Sequence, residues 1–207
     1  MGTVIPMRSI QAATVVETTV SKSRFIAHVA PVRCAADAAA FLAEVKRLHP
    51  DATHHCHAHV LGADGSVHRA SDDGEPGGTA GTPMLETIRR TGMTDVCAVV
   101  VRYFGGVKLG AGGLARAYAG AVRAALAAAR PTDPVRYLRM ETSAPPASAG
   151  IVEHILRETA IELSAAYGEP TVFRFLVRDR DADALRERLV RIEAVATAES
   201  GADIRYE

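Results

Sequence analysis

Apolar positions divide this chain into short segments whose period changes from two to roughly 3.6 and back. Segments 12–20 and 23–32 read as extended on either side of the polar Ser21-Lys22-Ser23, with β-branched Thr14, Val15, Val16, Thr18, Thr19 and Val20 favouring strand. From Ala35 to His49 the spacing becomes helical: Ala38, Phe41, Leu42, Val45 and Leu48 recur at core positions, and Pro50 stands just beyond the end. His54 to Leu61 returns to strand, Gly62-Ala63-Asp64-Gly65 supplies a hairpin turn, and a short strand is expected over 66–71. A long glycine-rich loop follows. It leads to Thr82-Pro83, which read as N-cap and first helical residue of a helix continuing through Met84 to Arg90. Val96 to Tyr103 is a valine-rich apolar run, the signature of a buried strand. After Gly105-Gly106 and Gly110-Ala111-Gly112-Gly113, an alanine-rich helix runs to about Arg130, and its small side chains suit close packing against a sheet.

Pro131 and Pro134 then punctuate the chain. Beyond them the pattern reads strand 135–144, helix 147–159, strand 160–167, strand 171–178, helix 182–193 and strand 196–206. That order, βαββαβ, is a ferredoxin-like split unit. Charge divides near the same place: residues 1–135 carry 14 basic against 11 acidic side chains and 136–207 carry 10 against 13, or about +3 and −3. We therefore expect an α+β protein of two domains, 1–133 and 134–207.

With 207 residues and 48% hydrophobic content, each domain has enough apolar material for a core. Lys+Arg 24 balances Asp+Glu 24, so no global field steers the protein to nucleic acid, and any such binding must come from a local patch. Cys34, Cys56 and Cys97 are widely spaced without a CxxC pair, which argues against a disulfide framework or a zinc ribbon and fits reduced thiols in a cytoplasm. The opening MGTVIPMRSIQ lacks an apolar segment behind a basic start, and Pro6 stands where a myristoylation signal wants Ser or Thr. No stretch approaches the roughly 20 apolar residues of a membrane span, so a cytoplasmic location without membrane contact is expected.

The sharpest chemical pattern lies between Asp95 and Asp133, where no acidic residue occurs but Arg102, Lys108, Arg116, Arg123 and Arg130 do. Arg116, Arg123 and Arg130 are seven apart and drift only about 20° per step on a helix, which makes one basic stripe beside a glycine-rich turn. A strand, such a turn and a helix N-terminus present free N–H groups to an anion. The bland alternative is a tight turn with a solvated helix face. After Gly110 and Gly112 the third glycine of a dinucleotide fingerprint is replaced by Ala115, the ribose acid is not evident, and a Walker A motif is absent.

The loop from Ser71 to Pro83 offers a second array of amides before a helix. Its Asp72, Asp73 and Glu75 suit a hard divalent cation or acid/base chemistry, and equally suit turn capping and pairing with arginines. On a strand, His55, His57 and His59 face one way and His54 and Cys56 the other; that geometry allows a three-histidine metal site or histidines lining a half-buried strand. Cys56 cannot form a local dyad with His55 or His57, because adjacent residues point to opposite faces.

DDGEPGGTAGTP at 72–83 and VVVRYFGGVKLGAGGLARAY at 99–118 resemble the hallmark segments of the YigZ/IMPACT family. KSRF at Lys22 to Phe25 and HPDATHHC at His49 to Cys56 support the match, which covers about 17–127; beyond that it rests on length and βαββαβ order. The resemblance implies a ribosomal protein S-five domain-two-like N-terminal domain and a ferredoxin-like C-terminal domain similar to the last domain of elongation factor G. It also implies a link to translation, since eukaryotic members are translation regulators. Family motifs map onto Ser23, Arg24, Phe25, His54, His55, Asp72 to Pro76, Thr79 to Gly81, Pro83, Arg102 to Gly106, Gly110, Gly112, Gly113 and Tyr118.

From residues and resemblance together we expect a translation-associated or regulatory binding protein that engages RNA, the ribosome or a partner through an anion-binding groove. Its expected ligand contacts are Arg24, Thr79, Gly81, Arg102, Gly105, Gly106, Lys108, Gly110, Gly112, Gly113, Arg116 and Arg123, with Tyr103, Phe104 or Phe25 stacking on a base. The alternative is a hydrolase-like enzyme on a small phosphorylated or nucleotide-like substrate, with Asp73, Glu75 and His55 as candidates; a pure protein-interaction module is the third. No cofactor and no metal are expected, the metal alternative being His55 with His57, and the chain is expected to be a monomer or weak homo-oligomer.

Overall fold

The structure, a computed structural model, describes residues 7–192 and 196–206. The expected final residue of the 182–193 helix and the first six residues of the expected N-terminal domain lie outside the described residues. The chain is a mixed α/β protein that separates into two compact units, one running to Pro134 and including Tyr206, the other Val135–Arg205.

In the first unit, β1 (Ser9–Ile10), β2 (Thr14–Val20), β3 (Ser23–Pro31), α1 (Ala35–Leu48), β4 (His54–Leu61), β5 (Val67–Ser71), α2 (Gly81–Arg90), β6 (Val96–Tyr103), α3 (Gly110–Ala128) and β7 (Pro131–Thr132) follow in order. Five strands form an antiparallel sheet in the order β2-β3-β6-β4-β5, and β1 pairs separately with β7. The valine run is the middle strand, buried on both faces. Val96, Ala98 and Val100 pack under α2 and α3, while Cys97, Val99 and Val101 pack under α1. Each of these fully buried valines contributes roughly 1.5–3 kcal/mol, so β6 is the spine of the unit.

Several helix boundaries differ from expectation, the helix expected over 182–193 by three residues at its start, and two of the differences bear on the loops around α2 and α3. α2 begins at Gly81, behind an Ala80 cap residue that makes no side-chain bond, so Thr82 is not the N-cap and Pro83 is the third helical residue. The physical reason is remote capping: Asp72 Oδ1 accepts N–H bonds from Ala80 (2.9 Å) and Gly81 (2.8 Å), and Oδ2 accepts one from Gly78 (2.8 Å). α3 ends at Ala128 and turns extended at Ala129, because Arg130 precedes Pro131 and is disfavoured as helix. Arg130 therefore leaves the stripe.

The second unit contains β8 (Pro134–Ala144), α4 (Pro146–Thr159), β9 (Glu162–Ala166), β10 (Thr171–Arg178), α5 (Asp179–Val190) and β11 (Ala196–Tyr206), with strand order β11-β8-β10-β9. Its core joins Leu138, Met140, Phe173, Phe175 and Val177 from the sheet to Val152, Leu156, Leu185 and Leu189 from the two helices. No helix among the described residues is long and apolar enough to cross a membrane.

Candidate functional site

Arg102 is the penultimate residue of β6 and points to the α2/α3 face, directly opposite Phe25 on β3 and His54 on β4. Its guanidinium is buried. Nη1 donates to Glu75 Oε1 at 2.6 Å and Nη2 to Ser23 Oγ at 3.4 Å, while Nε is buried without a partner. The Tyr118 hydroxyl of α3 donates to the same Glu75 oxygen at 2.8 Å, and His54 Nε2 stands 3.9 Å from it. Side-chain exposure is 6% for Arg102 and 3% for Glu75, so this pair is almost fully removed from water. Aromatic rings close over it: the guanidinium lies 5.4 Å from the Phe25 ring and 5.5 Å from that of Phe104. Burial drives the Tyr118 phenol far up, keeping it a neutral donor.

Ser23 Oγ also accepts the Gly105 N–H at 3.1 Å, which ties the β2–β3 turn to the end of β6. A Cβ at Gly105 would stand 2.0 Å from the backbone of Lys22, so only glycine fits. The acidic loop is held as firmly. Burial alone would raise the Asp72 carboxyl, but its three N–H donors together hold it below the usual range. Asp73 accepts the His55 N–H at 2.7 Å and the Lys46 ammonium at 3.3 Å, and its own carbonyl meets His54 Nδ1 at 2.8 Å. The Thr79 hydroxyl donates to the Pro76 carbonyl at 2.6 Å, and a Cβ at Gly81 would meet Ser71 backbone at 2.7 Å. Of the loop acids, Asp72 thus caps a helix, Asp73 pins a strand, and Glu75 pairs with Arg102.

Both glycine-punctuated connections do meet over α3. A cleft of about 370 Å³ is lined by Glu75, Arg102, Phe104, Lys108, Gly110 and Leu114 among others. A second, of about 400 Å³, lies against Ser21, Lys108, Leu109, Gly113 and Arg116. Among the described residues the cap residue Leu109 makes no side-chain bond and no acid occupies the first turn of α3, so neither compensates its N–H groups and dipole. Lys108, Arg116 and Arg123 are exposed, and Phe104 is 48% exposed.

Arg24 and His55 are on the other face of the sheet. Arg24 donates to both Glu17 oxygens at 2.9 Å and lies 5.2 Å from the Tyr103 ring, and His55 shares its face with Val101 beneath α1. A single-residue step along a strand reverses the side chain, so Arg24 is separated from Phe25, and His55 from His54. Sequence spacing alone did not locate the polar chain on that side, where His28 Nε2 meets His49 Nε2 at 3.1 Å and His49 Nδ1 meets the Tyr103 hydroxyl at 3.0 Å. Burial, then the neighbouring His49, lowers His28 to about 4; burial also lowers His57 and His59. Among the described residues no three His, Cys, Asp or Glu side chains converge to hold a metal. Cys56 donates to the Asp72 carbonyl at 2.9 Å and burial pushes its thiol up to about 12, so it is no thiolate nucleophile.

The family described as Impact N-terminal domain matches residues 21–126, the segment that builds this face. The IMPACT family member YvyE of Bacillus subtilis is 40% identical over 177 residues, covering 85% of this chain and 82% of that protein. The IMPACT family member YigZ of Escherichia coli is 51% identical over 115 residues, 55% of this chain and 56% of that protein. A solved structure described only as a hypothetical protein is 32% identical, with a TM-score of 0.78 over 93% of this chain and 96% of the other.

Proposed function

The chain belongs to the IMPACT family, and from that premise we propose that it is a cytoplasmic, translation-associated regulatory binding protein that engages RNA or the ribosome through the cation-lined clefts of its first domain. The observation that carries this reading is the patch itself. Lys108 and Arg116 lie exposed about the start of α3 and Arg123 two turns further along it, in a stretch from Val96 to Thr132 without one acidic residue. Phosphate contacts need such uncompensated cations and free amides. The buried Arg102 takes no part as a free charge here; it supports the cleft by holding Glu75 and Phe104.

The domains of this reading are 1–133 and 134–207, the first ribosomal protein S-five domain-two-like and the second ferredoxin-like. The βαββαβ order with β8 and β10 central supports the second label. A monomer or weak homo-oligomer completes it.

Co-sedimentation with ribosomes and with extracted ribosomal RNA, at about 50 and 200 mM salt, tests the proposal. Binding should fall steeply with salt and be lost in Arg116→Ala/Arg123→Ala. Binding indifferent to both would refute this surface. Turnover of a small phosphoester that disappears in Glu75→Gln would instead favour the hydrolase.

A further inference from the structure

Resting on that reading, we infer that the patch takes a single strand of RNA, one base stacked on Phe104 and the following phosphates carried past Lys108 to Arg116 and Arg123. Three observations lead there. First, the two clefts share a wall made by Lys108 and Leu109, so they form a track of two adjoining compartments. Each is near the lower end of the volumes that hold small ligands, the size of one nucleotide and far below a duplex.

Second, the aromatic candidates separate cleanly. Phe25 is fully buried, Tyr103 lies on the α1 face beneath Arg24, and Phe104 is 48% exposed inside the first compartment. Arg102 sits over the Phe104 ring, which orders it as a platform. An exposed ring is of use to a splayed base and of none to a base inside a helix, whose faces are already stacked.

Third, the cations follow one line. Arg116 lines the second compartment and Arg123 comes two turns later on the exposed side of α3, about 10 Å further along the axis. Among the described residues, ion pairs join Arg24, Arg102 and Arg8 to acids, whereas Lys108, Arg116 and Arg123 stand in none. Among the described residues lining the two compartments Glu75 is the one carboxylate, and it is countered by Arg102 and by the Tyr118 hydroxyl.

Fluorescence anisotropy with a labelled ~8-nucleotide single strand and a blunt RNA duplex of the same length tests this on the full chain. The single strand should bind at least tenfold more tightly. Its log K against log salt should have a slope near −2, roughly 0.7 for each of the three cations, and each Lys or Arg replaced by Ala should remove about 0.7. Phe104→Ala should weaken binding about 5- to 150-fold at every salt concentration with the slope unchanged, and Phe104→Tyr should restore it. Equal or tighter binding of the duplex, or a Phe104→Ala protein that binds like the parent, overturns the single-strand inference while leaving salt-dependent RNA binding intact. Absence of any salt-dependent RNA binding overturns both.

Discussion

Removing Glu75 tests how the acidic loop and the end of β6 are held together. In Glu75→Ala the Arg102 guanidinium stays where it is, 6% exposed, but loses its 2.6 Å partner. What remains is one bond to Ser23 at 3.4 Å, near the limit of hydrogen bonding, and an Nε that has no partner to begin with. Breaking a buried pair from one side costs about 3–5 kcal/mol, and the Tyr118 hydroxyl, deprived of its 2.8 Å acceptor, adds about 1 kcal/mol. A loss of about 4–6 kcal/mol is a large share of the 5–15 kcal/mol typical of a whole domain. A chain of two compact units need not unfold in one step, so the readout must belong to the first. Cys56 and Cys97 supply it: both are buried in the first unit, and their labelling across a urea gradient reports its opening. The double variant Glu75→Gln/Arg102→Met removes both charges at similar volume and should recover about 2 kcal/mol relative to Glu75→Ala. A single variant costing under about 1 kcal/mol, or a double variant no better than the single, would refute the claim that this pair is a closed, desolvated unit.

Three further outcomes follow from the same geometry. In the native protein Cys34 alone should react with a thiol reagent, and all three cysteines should react after denaturation, since burial raises Cys56 and Cys97 to about 12. His28 has a folded value of about 4 against 6.5 when free, so it contributes no pH dependence above 6.5. As pH falls from there toward 4 the unfolded chain binds the proton first, stability drops by up to about 1.4 kcal/mol per pH unit and about 3 kcal/mol in all, and His28→Leu should flatten that part of the urea-midpoint profile. Gly105→Ala should cost more than about 3 kcal/mol by driving a Cβ into the Lys22 backbone, whereas Gly77→Ala, with nothing within 4 Å, should stay within about 1 kcal/mol; similar urea midpoints for the two would contradict the close approach.

Much of the chain is legible in its local sequence pattern. β6 was readable because a strand buried on both faces needs unbroken apolar sequence, and Val96–Val101 supplies it. α1 and the β8-α4-β9-β10-α5-β11 succession were readable because local period and proline punctuation act within a few residues. The separation of His55 from His54 also followed from the strand period alone.

Register and long-range partners were not legible, because pairing energies depend on residues far apart in sequence. Nothing near Thr82 reveals that Asp72 satisfies the amides at the start of α2, and the local Thr-Pro signal points two residues too far along. Arg24 and Arg102 look alike as basic residues beside glycine-rich or polar turns. Only the antiparallel register, Arg24 with Tyr103 and Phe25 with Arg102, sends one to the α1 face and buries the other against Glu75 27 positions away. The sequence by itself determined where chain segments become strand or helix, because those choices are made by neighbours. Which charges remain exposed was decided by tertiary structure, because desolvation depends on what the sheet brings across.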